Sequence, residues 1–497
     1  MLELFSQAFA TIFSTPANLA LILLGVSVGV TFGILPGLTS VAALSMFLPL
    51  TFGMDLAIGI SMLMGIYIGA TSGGLVTSIL MNIPGTPSSI ATTFDGYPMA
   101  QKGEAGKALG ITIFCSFIGT IVSTAALVSI APALASVTIK FGPWENFAVT
   151  FFSLTLIAGL VGKSLTKGLI SAILGVMIAT VGMSPIDAAK RFTFGNIQLM
   201  DGFALVPVLV GLYAISEVLA TASGAKVVDT TKIMDFKIRG LGFKFVELIR
   251  QTGNIIRACL VGIGIGVLPG VGAATSNFIA YAVVKKASKY PEKFGTGVVD
   301  GIVATETSNN AAIGGNMVPL LCLGIPGDAS TALLLAGFMM QGVTPGPLLF
   351  QTHGPAVYVI FASMIVSSFL MMIVMYASLR GFVQILKIPS YFLMPVIVVL
   401  CIIGAYAVGF RTFDAWVLLI AGIAGLLMKK FDMPMPPLIL GFILGEPFEV
   451  NLRRGLQHSN GDLTQLINHP IAIGFLALIV VFYAGAEIQK WLRRKKA

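Results

Sequence analysis

Long apolar runs, broken by short polar punctuation, organise the chain from end to end. Runs near 18–34, 56–81, 107–132, 145–162, 166–184 and 203–222 precede a basic stretch at 223–257. Further runs lie near 258–284, 300–323, 354–379, 389–409, 412–428 and 470–488. A membrane span needs about 20 mostly apolar residues, so the pattern predicts an all-α polytopic membrane protein of about 12 transmembrane helices. Shorter apolar pieces follow Pro36, Pro84, Pro326 and Pro434. These are expected as broken or re-entrant helices, because proline removes a backbone donor and glycine permits unusual dihedrals. The unbroken runs exclude a β-barrel, whose strands alternate in polarity. Leu2 to Phe13 is expected to lie along the membrane interface, and the N-terminus lacks the basic segment and cleavage site of a signal peptide.

The second signal is internal repetition. Residues 28–37 read VGVTFGILPG and residues 261–270 read VGIGIGVLPG, with six of ten positions identical. Ile83-Pro84-Gly85 is matched by Ile325-Pro326-Gly327, and Gly96-Tyr97-Pro98-Met99 by Gly337-Phe338-Met339-Met340. Thr71-Ser72 aligns with Thr307-Ser308 if six residues are inserted in the second copy. The order of the matches points to duplication. The expected division is a first repeat at 1–222, a basic cytoplasmic connection at 223–257, a second repeat at 258–430 and a C-terminal membrane segment with a basic tail at 431–497.

Charge placement suggests how the repeats are related. The first 101 residues contain no Lys or Arg, whereas Lys226, Lys232, Lys237, Arg239, Lys244, Arg250 and Arg257 crowd the central connection. Short basic loops stay in the cytoplasm. The second repeat is therefore expected to start inside and the first outside, which makes them inverted, a transporter architecture. Arg493, Arg494, Lys495 and Lys496 place the C-terminus in the cytoplasm by the same rule.

Composition removes other classes. Hydrophobic residues make up 56% of the chain, charged residues 10%, and mean hydropathy is +0.95, whereas soluble domains carry roughly 25% charged residues. The net charge of +9 lacks the aromatic-interleaved basic face of a nucleic-acid binder. Cys115, Cys259, Cys322 and Cys401 have no metal-site spacing, and His353, His458 and His469 form no HExxH pair. Gly162-Lys163-Ser164 lacks the P-loop glycine at position 157, which is Ile, and Gly262, Gly264 and Gly266 sit in a membrane run without a preceding strand. No ATPase, catalytic constellation or cofactor is indicated.

Two pairs of polar segments interrupt the apolar pattern. Asn82-Ile83-Pro84-Gly85-Thr86-Pro87-Ser88-Ser89 and Gly324-Ile325-Pro326-Gly327-Asp328-Ala329-Ser330-Thr331 are helix breaks. At membrane depth such backbone survives where it is buried in protein or lines a wet cavity. A helix restarting at Ser88 or Ser89 would aim free N–H groups at an anion. Asn82, Pro84, Gly85, Thr86, Ser88, Ser89, Gly324, Pro326, Gly327, Asp328, Ser330 and Thr331 are thus the candidate substrate-binding residues. The second pair places Thr305, Glu306, Thr307, Ser308, Asn309 and Asn310 in an apolar region, with Thr71 and Ser72 as their counterpart. These oxygens suit Na⁺, and Glu306 alone suits a proton; charged groups at membrane depth are costly and usually functional. Neither Ile-Pro-Gly segment contains Lys or Arg, so bound cations are expected to supply the charge that holds an anion. Leu35-Pro36-Gly37 and Leu268-Pro269-Gly270 read as structural breaks, and Asp95, Lys102, Glu104 and Lys107 as a solvated loop.

These residues resemble the large membrane subunit of the tripartite tricarboxylate transporters, the TctA family. The matching segments are GILPGLTS at 33–40, ILMNIPGTPSSIATTFDGYPMAQKGEAGKALG at 79–110, GVLPGVGAATSNFIAY at 266–281, ETSNNAAIGGNMVPLLCLGIPGDAS at 306–330 and PGPLLF at 345–350. The resemblance implies a secondary transporter of the bacterial cytoplasmic (inner) membrane. Its partners would be a small membrane subunit and a periplasmic solute-binding protein. Its substrates would be carboxylates such as citrate, and a Na⁺ or H⁺ gradient would drive uptake. The alternative, a membrane permease of an ATP-driven importer, requires a partner ATPase.

Overall fold

Apolar length and proline–glycine breaks resolve into helices almost throughout the computed structural model, which describes residues 2–35, 38–160, 164–222, 240–385 and 390–496. Pro36, Gly37, Gly162, Lys163, Lys226, Lys232, Lys237 and Arg239 lie outside the described residues. The first half runs α1 (Leu2–Phe13), α2 (Pro16–Ile34), α3 (Ser40–Phe47), α4 (Leu56–Met81, turning at Gly74), α5 (Thr93–Gln101), α6 (Ala105–Thr138), α7 (Pro143–Leu160), α8 (Leu165–Ala179) and α9 (Leu205–Ala222). The second half runs α10 (Thr252–Gly266), α11 (Gly272–Ala287), α12 (Val299–Leu323), α13 (Ala329–Met340), α14 (Gly354–Ile385), α15 (Ser390–Gly409), α16 (Thr412–Lys430), α17 (Met435–His458) and α18 (Pro470–Lys496). Gly182–Met183 pairs antiparallel with Lys190–Arg191 between α8 and α9. The protein is an all-α polytopic membrane protein. Among the described residues six helices are long and apolar enough to span a bilayer alone: α2, α4, α6, α9, α14 and α16. The polar α12 is buried along nearly its whole length, so its polar side chains face protein.

Small residues fix the register of the helix pairs. A Cβ on Gly25 would sit 2.6 Å from the Met62 carbonyl oxygen, one on Gly29 2.3 Å from that of Ile66, and one on Gly33 2.3 Å from that of Ala70. The numbers rise together, so α2 and α4 run parallel with backbones in contact. The chain between them must therefore turn back. α3, with 8 residues, spans only about 12 Å, so it is the half-helix expected after Pro36.

The second half repeats this geometry. A Cβ on Gly262 would sit 2.5 Å from the Ser308 carbonyl oxygen, and one on Gly266 2.8 Å from that of Ala312. Gly29·Ile66 and Gly33·Ala70 thus correspond to Gly262·Ser308 and Gly266·Ala312. In this register Thr71 and Ser72 are matched by Ile313 and Gly314. The six-residue insertion expected from sequence is absent, because the backbone contacts keep one spacing from α4 to the helix break. Asn82 and Gly324 end α4 and α12 in the left-handed conformation, with φ of 57° and 70°. The following N–H reaches back six positions in each, Ile83 to Thr77 at 3.4 Å and Ile325 to Pro319 at 3.2 Å.

The corresponding helices oppose one another. Tyr67 of α4 meets Asn316 of α12 at 3.1 Å, while Ser72 meets Asn310 at 2.7 Å. One number rises as the other falls, so α4 and α12 are antiparallel. α6 and α14 are antiparallel as well, with Gly110 against Tyr376 and Phe117 against Phe369. The repeats are inverted. They also interlock: α6 packs on α12, α14 on α4, α17 on α8 and α16 on α9. α1 adds Phe5 against Tyr358 of α14.

The segment after the first Ile-Pro-Gly corrects the sequence reading. Asp95 is not solvated; it is fully buried. Its Oδ1 accepts N–H bonds from Gly295, Gly297 and Val298 at 3.0, 2.8 and 2.9 Å, and Tyr281 Oη donates to Oδ2 at 2.9 Å. Gly295 and Gly297, with φ of 90° and 96°, turn their N–H groups into an anion nest. Lys102 and Glu104 are exposed as expected, and Lys107 pairs with Glu247 at 2.7 Å.

Candidate functional site

The two breaks restart through the same device. Thr86 and Ser89 form a capping box over the turn Pro87–Ser89, and Asp328 and Thr331 form one at the start of α13. The first copy gives a single 3-10 turn, and its helix resumes only at Thr93, later than the expected restart at Ser88 or Ser89.

Both restarts open on one cavity of about 570 Å³. Thr86, Pro87 and Ser88 line it from the first repeat, and Asp328, Ala329 and Ser330 from the second. The segments following both Leu-Pro-Gly breaks join them: Thr39 to Ala42 entering α3, and Gly270 to Ala274 entering α11. Tyr67, Thr71 and Tyr213 complete the polar wall, and Glu217, Lys429, Met433 and Met435 lie on the α9/α16 side. The first turns of α3, α11 and α13 and the Pro87–Ser89 turn therefore converge on one space. The starts of α3 and α11 carry no side-chain cap, so their free N–H groups and positive dipole ends reach it, whereas the start of α13 is already capped by Asp328.

The candidate substrate residues divide into wall and frame. Thr86, Ser88, Asp328 and Ser330 face the cavity. Ser89 and Thr331 close the capping boxes, while Asn82, which is exposed, and Gly324 cap helices. Gly85 seats its segment against Gly33 and Gly74, and Gly327 seats its own against Asn316; a Cβ would lie 2.1 Å from the Gly33 carbonyl oxygen and 2.9 Å from Asn316 Cα. Pro84 and Pro326 stand between cap and glycine and do not line the cavity. Asp328 is held fully as an acceptor: Thr331 N and Oγ1 donate to Oδ1 at 2.8 and 2.9 Å, and Asn316 Nδ2 to Oδ2 at 2.9 Å.

The candidate cation ligands form a layer behind this wall. Thr71 belongs to both, since it lines the cavity while its carbonyl accepts from Asn309 Nδ2 at 3.1 Å. Ser72 Oγ and Thr120 Oγ1 donate to Asn310 Oδ1 at 2.7 and 3.3 Å, and Asn310 Nδ2 donates to the Glu306 carbonyl at 3.2 Å. Glu306 is fully buried. Thr92 Oγ1 donates to its Oε1 at 2.5 Å and Ser116 Oγ to its Oε2 at 3.4 Å, and Thr305 Oγ1 lies 3.1 Å from Thr92 Oγ1. Among the described residues no Lys, Arg or His pairs with Glu306. Thr307 and Ser308 turn their carbonyls toward Gly119 of α6 and Gly262 of α10, and their hydroxyls are buried in the same helix. Asn309 Oδ1 and Asn316 Oδ1 are buried without a donor among the described residues, which leaves oxygen lone pairs free for a hard cation.

Sequence reasoning missed Ser116, Thr120, Tyr67, Glu217 and Lys429. Thr39, Ser40, Thr92 and Asn316 stand inside or beside the motifs it singled out, so their position was a usable signal.

A family model described as Tripartite tricarboxylate transporter TctA family matches residues 19–440. An Agrobacterium vitis protein, named for its mass of 52.8 kDa and its place in the TAR-I ttuC' 3' region, is 37% identical over 466 residues, which covers 93% of this chain and 92% of the relative. A second Agrobacterium vitis protein, from the TAR-II ttuC' 3' region, is 37% identical over 217 residues, covering 44% of this chain and 90% of the relative. No solved structure matches the chain.

Proposed function

The chain belongs to the tripartite tricarboxylate transporter TctA family, and on that premise we propose that it imports di- or tricarboxylates such as citrate, driven by a Na⁺ or H⁺ gradient. It is a transporter subunit rather than an enzyme. The observation that carries the reading is the single cavity on which four helix breaks from two inverted repeats converge. It offers a carboxylate several backbone N–H groups and hydroxyls at once, directly in front of a buried layer of cation-suited oxygens.

Sidedness supports import. Lys102 reaches the Thr296 carbonyl, Lys107 pairs with Glu247, and Lys167 reaches the Phe431 carbonyl beside Lys429 and Lys430. Arg191, Arg411 and Arg453 gather at the other helix ends, against Glu449, Asp201 and Asp187. The more basic face is the cytoplasmic one. The cavity's α9/α16 rim, with Lys429 and Met433, lies toward it, as does the end of α18. These placements support our reading of an inward-facing state with a cytoplasmic C-terminus, in a chain of the inner membrane. We read the repeats as α2–α9 and α10–α17, extending the second beyond residue 430. A periplasmic binding protein would deliver the substrate, and a small membrane subunit would complete the assembly.

Uptake into vesicles containing the partner subunits tests this, with a carboxylate panel and Na⁺ and H⁺ gradients imposed separately. Uptake should survive ATP depletion and collapse with an ionophore. The reverse result would assign the chain to an ATP-driven importer.

A further inference from the structure

The cavity does hold one basic side chain, and it comes from neither Ile-Pro-Gly segment. Among its described lining residues Lys429, in the last turn of α16, is the single Lys or Arg. Its Nζ lies 2.5 Å from Oε2 of Glu217 on α9, and the side chains are 34% and 33% exposed. Both residues line the cavity. The other lining carboxylate, Asp328, is occupied by Thr331 and Asn316 and makes no ion pair among the described residues. Lys429 and Glu217 are thus a charge pair on the wall of a space otherwise built to receive an anion.

We propose that Lys429 binds a carboxylate of the transported anion, and that Glu217 is its built-in competitor. The inference rests on the carboxylate-transport reading above and names a binding residue for it. A lysine–carboxylate pair one-third exposed is weakened by water, so an entering carboxylate can replace Glu217 with little net change in pairing. The lysine ammonium is a compact charge on a flexible stem with three donors, suited to changing partners. The exchange moves no proton: one ammonium–carboxylate contact breaks, another forms, and the freed Glu217 turns to water at the rim. On release the order reverses. Glu217 recaptures Lys429 as the substrate departs, which keeps affinity low on the side where the cavity opens. A transporter that must discharge a multiply charged anion has use for such a displacement, because an unopposed lysine would retain it.

The two residues therefore act with opposite signs, and a merely structural ion pair does not. The test is binding of citrate and of succinate to the purified full-length protein by calorimetry, at fixed Na⁺ and pH, with thermal unfolding in the absence of ligand as a control. Lys429→Gln should weaken binding by about tenfold, as expected for one lost charge-assisted contact. Lys429→Arg should retain it. Glu217→Gln should tighten binding several-fold, and Glu217→Gln with Lys429→Gln should bind like Lys429→Gln alone, because the competitor matters only while the lysine is present. If both single variants weaken binding, or neither changes it, the assignment is wrong although the transport reading stands. If the wild-type protein binds neither anion, the transport reading fails and the assignment falls with it.

Discussion

The hydroxyls of Ser40 and Ser330 lie 2.8 Å apart, joining the first turn of α3 in one repeat to the first turn of α13 in the other. Sequence places them 290 residues apart. Inversion brings them together, because each repeat sends one restarted helix toward the same midpoint. Cysteines at both positions should close a disulfide under mild oxidation, since the side-chain atoms already approach the required distance. The four native cysteines are buried, and replacing them removes background. Cross-linking read as a gel shift checks the contact. No cross-link would mean that the two helix starts do not meet.

Gly85 and Gly327 fail for different reasons when enlarged. A Cβ on Gly85 would meet the carbonyl oxygen of Gly33 at 2.1 Å, which is backbone and cannot swing away. At Gly327 the nearest atom is Asn316 Oδ1 at 2.8 Å, followed by Asn316 Cα at 2.9 Å. Overpacking of this kind typically costs about 1–3 kcal/mol. Gly85→Ala should lower thermal stability more than Gly327→Ala, and both should abolish uptake while the protein still inserts. Normal uptake by both would remove these segments from the site.

Asp95 tests the nest that holds α5 to the start of α12. Asp95→Ala leaves three N–H groups without their acceptor and should cost about 3 kcal/mol. Asp95→Asn keeps one acceptor oxygen for the three N–H groups, and Tyr281 Oη can accept from the new amide, so most of the stability should remain. Hydrogen exchange at residues 295–298 reads the difference directly. Wild-type protection in Asp95→Ala would show that the three N–H groups do not depend on this acceptor.

The sequence displayed what depends on local chemistry. Span length, the Leu-Pro-Gly and Ile-Pro-Gly breaks and the duplication were legible because apolar runs, prolines and left-handed caps act within a few residues. The anion nest was not, since Asp95 is matched by glycines 200 residues away. Thr120 was hidden for another reason: its hydroxyl also donates to the Ser116 carbonyl at 3.0 Å, as serines and threonines do throughout membrane helices. A ligand layer and ordinary helix packing then share one pattern. Lys429 stands in no motif, and only the α9/α16 contact brings it to the cavity. The expected pairing of Thr71-Ser72 with Thr307-Ser308 matched residue types. Packing matches backbones, and Gly266 against Ala312 leaves no room for an insertion.

Glu306 decides whether the buried layer carries the coupling ion. Its carboxyl is fully buried, accepts from Thr92 and Ser116, and has no cationic side chain beside it among the described residues. An ionised carboxylate in that position must be balanced by a bound cation or carry a proton itself, because leaving it charged and unpaired is too costly. Thr71, which touches both cavity and layer, connects cation occupancy to substrate. Linkage then requires each ligand to raise the other's affinity by the same factor. Glu306→Gln is close to isosteric: its amide oxygen can accept from Thr92 and its NH₂ can donate to Ser116, so insertion and stability should be preserved. What it removes is the charge. Initial uptake rates measured against Na⁺ at fixed pH, and against pH at fixed Na⁺, should lose their dependence on the coupling ion, with the maximal rate falling at least tenfold. A variant that keeps wild-type dependence on both would make Glu306 a packing residue and leave the driving cation without this site.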